Sequence, residues 1–523
     1  HRCVLTKIEI GKEEERFLNR RGYTPQSVPE KDEKVFLRIG GNLSQGGTSV
    51  DWTEKVDPKI KWIIEKASKA IGLDIIGIDV ISEDLTCTPS ETTWDIIEVN
   101  ASPGLRMHTD PCSGESRDVG EKIIEGLYPS GNGRIPVVAV TGTNGKTTTS
   151  RIIDWISRKA GHHTGLAVTG GIYSNGELVT EGDTTGPWSA GVVLNDKDID
   201  FAVLETARGG ILRRGLGFDK CDVSVLTNIR EDHLGIDGLE SLEDIFRVKS
   251  VILEATDEDG ACVINANDDF AEKAMEKARG LPVLFGYETN ELMREYRKIG
   301  GIVFTVDAEK LIMYEEGKRK EIMEINEIPF IIGDVKMLLE DALAASAAAY
   351  SSGISTDLIR EGLKTFEMNS EMNPGRLNTY DYNGSKIILD YAHNVDGLEA
   401  LGEFIDAVPG ERTIASFTVP GDREDDFIMQ CGRESARWFD VLVCTENPRV
   451  MRGRENGEIA EMLARGVGRD GGKVPITIPN RERAIRFLLE NSKNYDKLVI
   501  ADLDIDEEEL MSFISRFEDK KNN

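Results

Sequence analysis

The segment VAVTGTNGKTTTSRIIDWI, residues 138–156, decides which fold this sequence can adopt. Its apolar start predicts a buried strand, Thr141 to Gly145 predict a Gly-rich turn, and the isoleucines beyond recur at helical spacing. Backbone N–H groups and the positive dipole end at the start of a helix bind anions without any side chain. Lys146 would therefore neutralise the β- and γ-phosphates of a nucleotide, and the Thr147 hydroxyl would bind Mg²⁺.

The turn is a short form of the phosphate-binding loop, because Val140 stands where the full pattern has a further glycine. The alternative is a Gly-rich strand-to-helix turn with a solvated lysine, and the flanking strand and helix favour the ATP site. The residues predicted to hold ATP in this loop are Gly142, Thr143, Asn144, Gly145, Lys146, Thr147 and Thr148.

Three further polar residues follow the loop in the sequence, two of them at or just after predicted strand ends. Glu205 ends the predicted strand FAVLE, His233 follows the strand VSVLTNI, and Lys249 lies on a helical stretch. Because ligands gather at the carboxyl ends of parallel strands, Glu205 and His233 would share one rim with the loop and would ligate a metal there. Taken singly, the histidine could be structural and the lysine solvated. These residues alone predict an ATPase or kinase of unknown substrate.

Outward from the loop, the chain divides into three predicted domains: 1–133, 134–371 and 372–523. The segment LYPSGNGRIP is typical of a linker, and short apolar strands alternate with helical patterns on its carboxyl side. A second alternation of strands and helices begins near residue 372. Its predicted strands are KIILDYAH, RTIASFTV, DVLVCTENP, VPITIP and KLVIADL. The fold class is therefore α/β, with a doubly wound sheet in the last part.

Composition restricts the class of protein. Lys and Arg number 63 against 93 Asp and Glu, a net charge of −30, so a nucleic acid or an anionic membrane would be repelled. No apolar run approaches the roughly 20 residues of a membrane helix, and the start lacks a signal-peptide pattern, so we expect a cytoplasmic protein. The seven cysteines form no CxxC pair and are interpreted as reduced thiols. The oligomeric state stays open, a homo-oligomer included.

Four motifs in order, VTGTNGKTTT, LETARGGILRRGLGFDKCDVSVLTNIREDHLG, NPGR and DYAHN, resemble the Mur ligase superfamily of ATP-dependent amide ligases. The strongest likeness is to the Mur-like half of cyanophycin synthetase and to the pseudomurein peptide ligases of methanogenic archaea. The resemblance implies three domains: a partial ATP-grasp-like N-terminal α+β domain, a P-loop central domain and a Rossmann-like C-terminal domain. It also implies that ATP converts a substrate carboxylate to an acyl phosphate, which the amine of an amino acid then attacks.

The resemblance assigns catalytic roles to Lys146, Glu205, His233 and Lys249. Thr147 and Glu205 would hold one Mg²⁺, and His233 would help to hold a second. Lys249 matches the position that bears a carbamate in this family and supports the second metal. The alternative is an unmodified lysine paired with a nearby acid.

Further residues match nucleotide and substrate positions of the family. Arg376 in NPGR and Asp390 in DYAHN match nucleotide-contacting residues, and the alternative for DYAHN is a strand end in a turn. Arg208 and the loop after Cys444 would supply cations for a carboxylate or diphosphate, although these arginines could equally be solvated. The predicted substrate residues are Thr185, Arg208, His393, Asn394, Arg449 and Arg452, with Arg454 beside them. Relatives have His-Asn and a further Asn before the Ala-rich helix, where this chain has Met337, Leu338 and Asp341, so its adenine contacts would differ.

The first 130 residues resemble the carboxyl-terminal part of an ATP-grasp domain. Asp79 in GID and Glu98 and Asn100 in EVN match the Mg²⁺ ligands of that family, and three oxygen ligands suit Mg²⁺. The preceding ATP-grasp part has no counterpart in this sequence. We therefore interpret the segment as a remnant that serves substrate binding or docking.

The leading interpretation is a peptide ligase of pseudomurein cell-wall precursor synthesis, which would act on a UDP-linked peptide. The alternative is a cyanophycin-synthetase-like ligase that adds Arg or Lys to aspartate side chains. A hypothesis of another class is a non-catalytic nucleotide-binding regulator, against which the intact motif residues argue.

Overall fold

The computed structural model describes residues 8–38, 42–43, 47–129, 131, 133–232, 234–235, 237–333, 335–469, 473–502 and 507–522. The chain divides into two compact units, residues 1–134 and 135–523. Among the described residues, no helix combines the length and apolar character that a bilayer crossing requires.

The first unit contains a small antiparallel sheet and short helices. Helix α2 shows how the sequence sets its bounds: the Asp57 side chain caps its first turn, Pro58 occupies its first position, and Gly72 ends it with a φ of 75°. The elements of this unit are α1 Lys12–Asn19, α2 Pro58–Ile71, β1 Gly77–Ser82, β2 Trp94–Asn100, α3 Arg106–Thr109 and α4 Val119–Leu127.

The second unit begins with an eleven-stranded sheet of order β13-β12-β11-β10-β9-β8-β3-β7-β4-β5-β6. Strands β11 to β4 in this order run parallel, and an antiparallel hairpin closes each edge. The strands are β3 Val137–Thr141, β4 Thr164–Val168, β5 Gly171–Ser174, β6 Glu177–Glu181, β7 Phe201–Glu205, β8 Cys221–Leu226, β9 Thr256–Asn265, β10 Leu281–Gly286, β11 Ile302–Asp307, β12 Lys310–Glu315 and β13 Lys318–Glu324.

Helices cover both faces of this sheet, as parallel strands that are apolar on both faces require. Helix α5 runs directly from the Gly-rich turn and buries Ile152, Ile153 and Ile156, as their spacing predicts. The helices are α5 Lys146–Lys159, α6 Pro187–Leu194, α7 Arg208–Arg214, α8 Leu242–Lys249, α9 Val251–Glu254, α10 Ala271–Lys277, α11 Glu291–Lys298, α12 Lys336–Ser351 and α13 Thr356–Thr365.

The carboxyl-terminal part of the second unit has its own six-stranded sheet, of order β14-β15-β19-β16-β17-β18, parallel except for β14. Successive residues of its strands enter two different apolar clusters, one with α14 to α16 and one with α17 and α18, so the sheet is doubly wound as expected. Its elements are β14 Asn378–Tyr382, β15 Ser385–Asp390, α14 Val395–Ala407, β16 Thr413–Phe417, α15 Asp425–Trp438, β17 Val441–Glu446, α16 Glu458–Gly468, β18 Ile476–Asn480, α17 Arg481–Asn491, β19 Lys497–Ala501 and α18 Glu507–Asn522.

The α/β fold class is confirmed, and the strands that the sequence predicts around FAVLE, VSVL and ACVIN are β7, β8 and the end of β9. The predicted domain boundaries fall between α4 and β3 and between α13 and β14. The prediction of reduced thiols holds for the buried Cys221, Cys262, Cys431 and Cys444. It is wrong for Cys112, which is disulfide-bonded, because spacing along the chain does not show which cysteines meet in space.

Candidate functional site

The turn between β3 and α5 can be built only with glycine at two positions. Gly142 has a φ of 152°, and a Cβ there would lie 1.8 Å from Thr227 Oγ1. Gly145 has a φ of 81°, and its Cβ would lie 2.3 Å from Asp341 Oδ1. Since no side chain fits, the backbone N–H groups at the start of α5 stay accessible to a phosphate.

The end of β8 holds this turn in place. The Thr143 amide donates to the Asn228 carbonyl at 2.9 Å, and the Asn144 amide donates to Asn228 Oδ1 at 2.9 Å. The Thr227 hydroxyl donates to the Asn144 carbonyl at 2.6 Å. The loop is therefore preorganised for its ligand. The sequence argument missed Thr227 and Asn228, although both follow the β8 strand that it identified.

Lys146, Thr147 and Glu205 meet at the mouth of this turn. Lys146 Nζ donates to the Thr143 carbonyl at 2.8 Å, within the loop that would hold the phosphates. The Thr147 hydroxyl donates to Glu205 Oε2 at 2.9 Å, and the Thr169 amide and hydroxyl each donate to Glu205 at 3.0 Å. A hydroxyl and a carboxylate this close offer two oxygens to one Mg²⁺, which takes its remaining ligands from phosphates and water.

Among the described residues no group of three or more His, Cys, Asp or Glu side chains could hold a metal alone. The pair of Thr147 and Glu205 fits an Mg²⁺ that arrives with nucleotide phosphates, because that ion uses few protein ligands. His233, the predicted ligand of the second metal, lies outside the described residues.

Lys249 lies under the loop at the end of α8. Its side chain is almost entirely buried, and its Nζ donates to the Gly142 carbonyl at 2.5 Å. Burial lowers the pKa of Lys249 well below its ordinary value, and the nearby charge of Lys146 lowers it further. A neutral amine is the form that reacts with CO₂, so its surroundings meet the chemical requirement for a carbamate.

Asp232 joins the two sheets of the second unit at this site, and the sequence argument did not identify it. Its carboxylate lies 2.9 Å from the guanidinium of Arg423, in the carboxyl-terminal part, and 3.7 Å from His393 Nε2. Both Asp232 and Arg423 are buried. No motif signals this pair, because its members are separated by 191 positions along the chain.

Arg376 and Asp390 lie on the opposite wall from the loop. The Arg376 guanidinium stacks 4.0 Å from the centre of the Tyr391 ring. Asp390 accepts from the Leu377 amide at 2.9 Å and from the Ala392 amide at 2.7 Å, and burial raises the pKa of its carboxyl. Asp390 therefore fixes the backbone around Arg376 as well as facing the cavity.

A cavity of about 210 Å³ unites these groups. It joins the loop to the carboxyl-terminal part of the second unit, where a nucleotide and a second substrate would meet. The sequence-predicted residues that line it are Thr143, Asn144, Gly145, Lys146, Thr147, Thr148, Thr185, Glu205, Arg376, Asp390 and His393.

The predicted substrate residues divide into three kinds of position. Thr185 lines the cavity, and its hydroxyl donates to Asp183 at 2.7 Å. Arg208 is buried near Asp237 at 3.4 Å, and burial lowers the pKa of its guanidinium. Asn394 caps helix α14, and its Nδ2 donates to Asn144 Oδ1 at 3.0 Å, so it connects the loop to the carboxyl-terminal part.

The arginines after Cys444 lie outside this cavity. Arg449 is 59% exposed, with Glu509 at 3.5 Å, and Arg452 is exposed with a φ of 50°. Arg454 instead donates to Glu458 and Asp425, both at 2.7 Å. The structure therefore does not bring Arg449 and Arg452 to the nucleotide, and it gives Arg454 a structural contact network.

The start of α12 has Met337, Leu338 and the acid Asp341 where relatives have His-Asn and a further Asn. Asp341 is buried, and its Oδ1 accepts from the Thr149 hydroxyl at 3.0 Å. Burial raises the pKa of Asp341 well above its ordinary value and that of the neighbouring Glu340 to about 7. Met337 and Asp341 both line the cavity, so the altered residues face the nucleotide side as the sequence implies.

In the first unit, the three residues of the ATP-grasp-like motif share one sheet face. Asp79 pairs with Glu98 across β1 and β2, and Asn100 pairs with Gly77 two positions along. Residues two apart on a strand point to the same side, so the three side chains lie together. Their metal role stays a prediction.

Comparison with known families agrees with this geometry. The family model of the Mur ligase middle domain matches residues 140–332, and that described as the Mur ligase, glutamate ligase domain matches residues 375–501. The two matches together span more than half of the chain, and each contains one of the two sheets of the second unit.

Among characterised relatives, the cyanophycin synthetase of Synechocystis sp. is 39% identical over 470 residues, which are 89% of this chain and 54% of that protein. The chain thus spans about half the length of these curated relatives.

Two solved structures share the fold. A bifunctional folylpolyglutamate synthase/dihydrofolate synthase with Mn, AMPPNP and L-glutamate bound superposes with a TM-score of 0.54, at 19% identity, over 73% of this chain and 90% of that one. A pseudomurein peptide ligase type C from Methanothermus fervidus gives a TM-score of 0.53, at 19% identity, over 80% of this chain and 89% of that one.

Proposed function

Because this chain belongs to the Mur ligase superfamily, we propose that it is an ATP-dependent ligase that joins an amino acid to a carboxylate in an amide bond. One observation supports this most directly. The Gly-rich turn, Lys146 and the Thr147–Glu205 pair face a single cavity that the carboxyl-terminal part also lines. ATP bound at the loop would phosphorylate a substrate carboxylate in this cavity, and the amine of an amino acid would then attack the acyl phosphate there.

The chemistry follows from the weakness of a carboxylate as an electrophile. Transfer of the γ-phosphoryl group of ATP to the carboxylate gives an acyl phosphate and ADP, and attack by the amine gives the amide, phosphate and a proton. Lys146 offsets charge on the transferring phosphoryl group, and the start of α5 binds the phosphates. Closure of the carboxyl-terminal part around the substrates would exclude water and protect the acyl phosphate from hydrolysis.

Mg²⁺ fits the Thr147–Glu205 pair and would neutralise phosphate charge there. Lys249 supplies the buried, readily deprotonated amine that a carbamate needs. We expect ¹³C-bicarbonate to give a carbamate resonance in the NMR spectrum of the wild type and none in Lys249→Arg. A spectrum identical for both proteins would refute the modification while leaving the ligase reaction untouched.

For the substrates, the comparisons favour the alternative over the leading interpretation. The identity to cyanophycin synthetase is 39%, whereas the pseudomurein peptide ligase shares only 19% and supports the fold alone. We therefore propose that the acceptor is an aspartate-rich peptide and that the added amino acid is basic. The UDP-linked peptide of the leading interpretation becomes the competing substrate in the test.

The charge beside the nucleotide cavity supports a basic amino acid. Glu231, Glu424 and Asp426 surround a recess next to Asp232, with the Phe427 ring on its wall. Three carboxylates favour a guanidinium or ammonium side chain and disfavour a second acidic one. This supports arginine or lysine over glutamate as the incoming amino acid.

The activity test is phosphate release from ATP with each amino acid, combined with an aspartate-rich peptide or a UDP-linked peptide. We expect release that requires both the aspartate-rich peptide and arginine or lysine, with an amide product by mass spectrometry. Dependence on a UDP-linked peptide would instead support cell-wall synthesis. Nucleotide binding without turnover in any combination would favour the regulator hypothesis and refute the ligase.

The first unit has a separate proposed role. Asp79, Glu98 and Asn100 on one sheet face would form part of a metal site of the ATP-grasp type, or would take part in docking the acceptor. Substitution of Asp79 and Glu98 by Asn and Gln distinguishes these roles. Loss of amide formation with unchanged ATP binding at the loop would support a part in acceptor handling.

A further inference from the structure

A second cavity lies on the other side of helix α5 from the nucleotide. Its volume is about 60 Å³, and it is bounded by α5, β5 and the segment that follows α13. Its walls include Arg151, Trp155, Arg158, Tyr173, Glu371 and Met372. None of these residues belongs to the proposed ligase site.

Arg151 dominates this cavity. The residue is only 5% exposed, yet among the described residues no carboxylate oxygen lies within 4.0 Å of its guanidinium. Its Nη2 donates to the Tyr173 hydroxyl at 2.8 Å, and a long contact of 3.5 Å joins Nη1 to the Met372 carbonyl. Its Nε is buried and has no hydrogen-bond partner in the described part of the chain.

A guanidinium in this state is energetically unfavourable unless something compensates it. Burial removes water from the charge, and a buried donor without an acceptor loses the hydrogen bond that it made with water. The Tyr173 ring, 4.6 Å from the guanidinium carbon, supplies a cation–π contact but no negative charge.

The neighbouring charges do not compensate Arg151. Asp154, the acid on the same helix, also lines the cavity, but its carboxylate is bound by Arg158 at 3.0 Å and by the Thr164 hydroxyl. Glu371 lines the cavity but is exposed, and no ion pair joins it to Arg151 among the described residues. The cavity therefore presents a buried, incompletely bonded cation to a small polar space.

We propose that this cavity binds a small oxyanion group, a carboxylate or a phosphate, through the guanidinium of Arg151. Such a group has oxygens that match the fork of guanidinium donors, of which Nη1 makes only a long contact of 3.5 Å within the protein. A space of about 60 Å³ is large enough for the oxyanion group but too small for a whole nucleotide. The rest of a larger ligand would extend past Trp155 and Arg158, towards solvent.

An anion here would act on the nucleotide loop through bonded contacts. Helix α5 begins at Lys146, and Asn373, next to Met372, donates through Nδ2 to the Thr148 hydroxyl at 3.3 Å. An oxyanion that binds both Arg151 and the segment around Met372 would order this segment and helix α5 together. The bound state is therefore more stable to heat than the free state.

The test is calorimetric titration of the full chain with inorganic phosphate and, separately, with acetate. Saturating AMPPNP and Mg²⁺ are present throughout, so that the nucleotide loop is already occupied. We expect binding with a Kd on the order of millimolar and a rise in melting temperature. Tighter binding of phosphate than of acetate identifies a phosphate ligand, and the reverse order a carboxylate ligand.

Arg151→Met locates the binding site. We expect at least a tenfold weaker interaction in this variant, with AMPPNP affinity unchanged. The matched control, Lys277→Met, removes one positive charge from an exposed helix position and leaves anion affinity as in the wild type. No anion binding by the wild type, or equal binding by Arg151→Met, overturns the proposal.

A second variant keeps the proposal testable if Arg151→Met does not fold. Glu371→Gln removes a negative charge from the cavity wall and leaves the guanidinium intact. We expect about twofold or greater tightening of anion binding, because like-charge repulsion is lost. Unchanged or weaker binding in Glu371→Gln contradicts an anion at this position.

Discussion

Lys146 is a single charge on which the proposed reaction depends. In the free protein its Nζ is bonded to the carbonyl of Thr143, 2.8 Å away, so it needs only to exchange that acceptor for a phosphate oxygen. We expect Lys146→Ala to reduce kcat for amine-dependent phosphate release by about 10³-fold, the scale on which such charge-stabilising groups act.

The control is Lys159→Ala, at the exposed end of the same helix, which should keep near-normal turnover. Both variants should melt close to the wild type, because neither lysine is in the apolar core. Amide formation by Lys146→Ala at the rate of the control would contradict the phosphoryl-transfer mechanism.

The residue scale also shows where sequence reasoning ends. The glycines and Lys146 are recognisable because one local segment determines the turn, the helix start and the chemistry together. Asp232 and Arg423 are not recognisable, because their contact depends on how two sheets pack. Arg449 and Arg452 are predicted as substrate cations from residue type alone. They are exposed and do not line the nucleotide cavity, so their role in binding the amino acid stays a prediction.

At the scale of one element, the strand–loop–helix of β3 and α5 allows a matched comparison of glycines. Gly142 and Gly161 both have φ in the left-handed or adjacent positive region, at 152° and 94°. A Cβ on Gly142 would overlap Thr227 Oγ1, whereas one on Gly161 would meet nothing within 4 Å.

We expect Gly161→Ala to cost about 1 kcal/mol of stability, from backbone strain alone, with normal AMPPNP affinity. Gly142→Ala should cost more than that and should weaken AMPPNP binding by at least about tenfold, because the loop must move away from β8. Urea unfolding and nucleotide titration measure both effects. Equal losses in the two variants would show that strain, rather than the close contact, sets the requirement for glycine.

Helix α12 adds a pH dependence to the stability. Burial raises the pKa of Glu340 from 4.5 to about 7, so the folded protein keeps a proton that the unfolded chain has released. Stability from this group is complete below about pH 4.5 and is lost as the pH rises through 7. Because the side chain is partly exposed, we expect a loss of about 2 kcal/mol between these limits.

Glu340→Gln removes that titration and should flatten this part of the curve. The measurement is the free energy of unfolding from urea titrations at pH 5, 6, 7 and 8, for the wild type and the variant. A difference between the two proteins that stays constant with pH would contradict the raised pKa of Glu340.

At the scale of the whole second unit, polar contacts between described residues join the nucleotide loop and its neighbours to the carboxyl-terminal part. Asn144 and Asn394 exchange amide contacts, and Arg230 lies 3.6 Å from Asp396. The buried Asp232 carboxylate lies 2.9 Å from Arg423 and 3.7 Å from His393. Because Asn144, Asp232 and His393 line the cavity, we expect these contacts to influence whether the two walls meet around a nucleotide, and thus whether water is excluded from an acyl phosphate.

Substitutions in the Asp232–Arg423 pair test whether contact between the two walls of the cavity controls amide formation. Arg423→Met leaves the Asp232 carboxylate buried without its guanidinium, so we expect a stability loss of about 3 kcal/mol and slower amide formation. Adding Asp232→Asn removes the buried carboxylate charge and should recover part of the stability.

The double variant should not recover turnover, because the contact between the two parts is still absent. Unfolding titrations and amine-dependent phosphate release measure the two effects separately. If turnover returned together with stability, the pair would act only by balancing charge. If turnover stayed low while stability returned, and small-angle scattering no longer changed on addition of AMPPNP, closure of the carboxyl-terminal part over the nucleotide would depend on this contact.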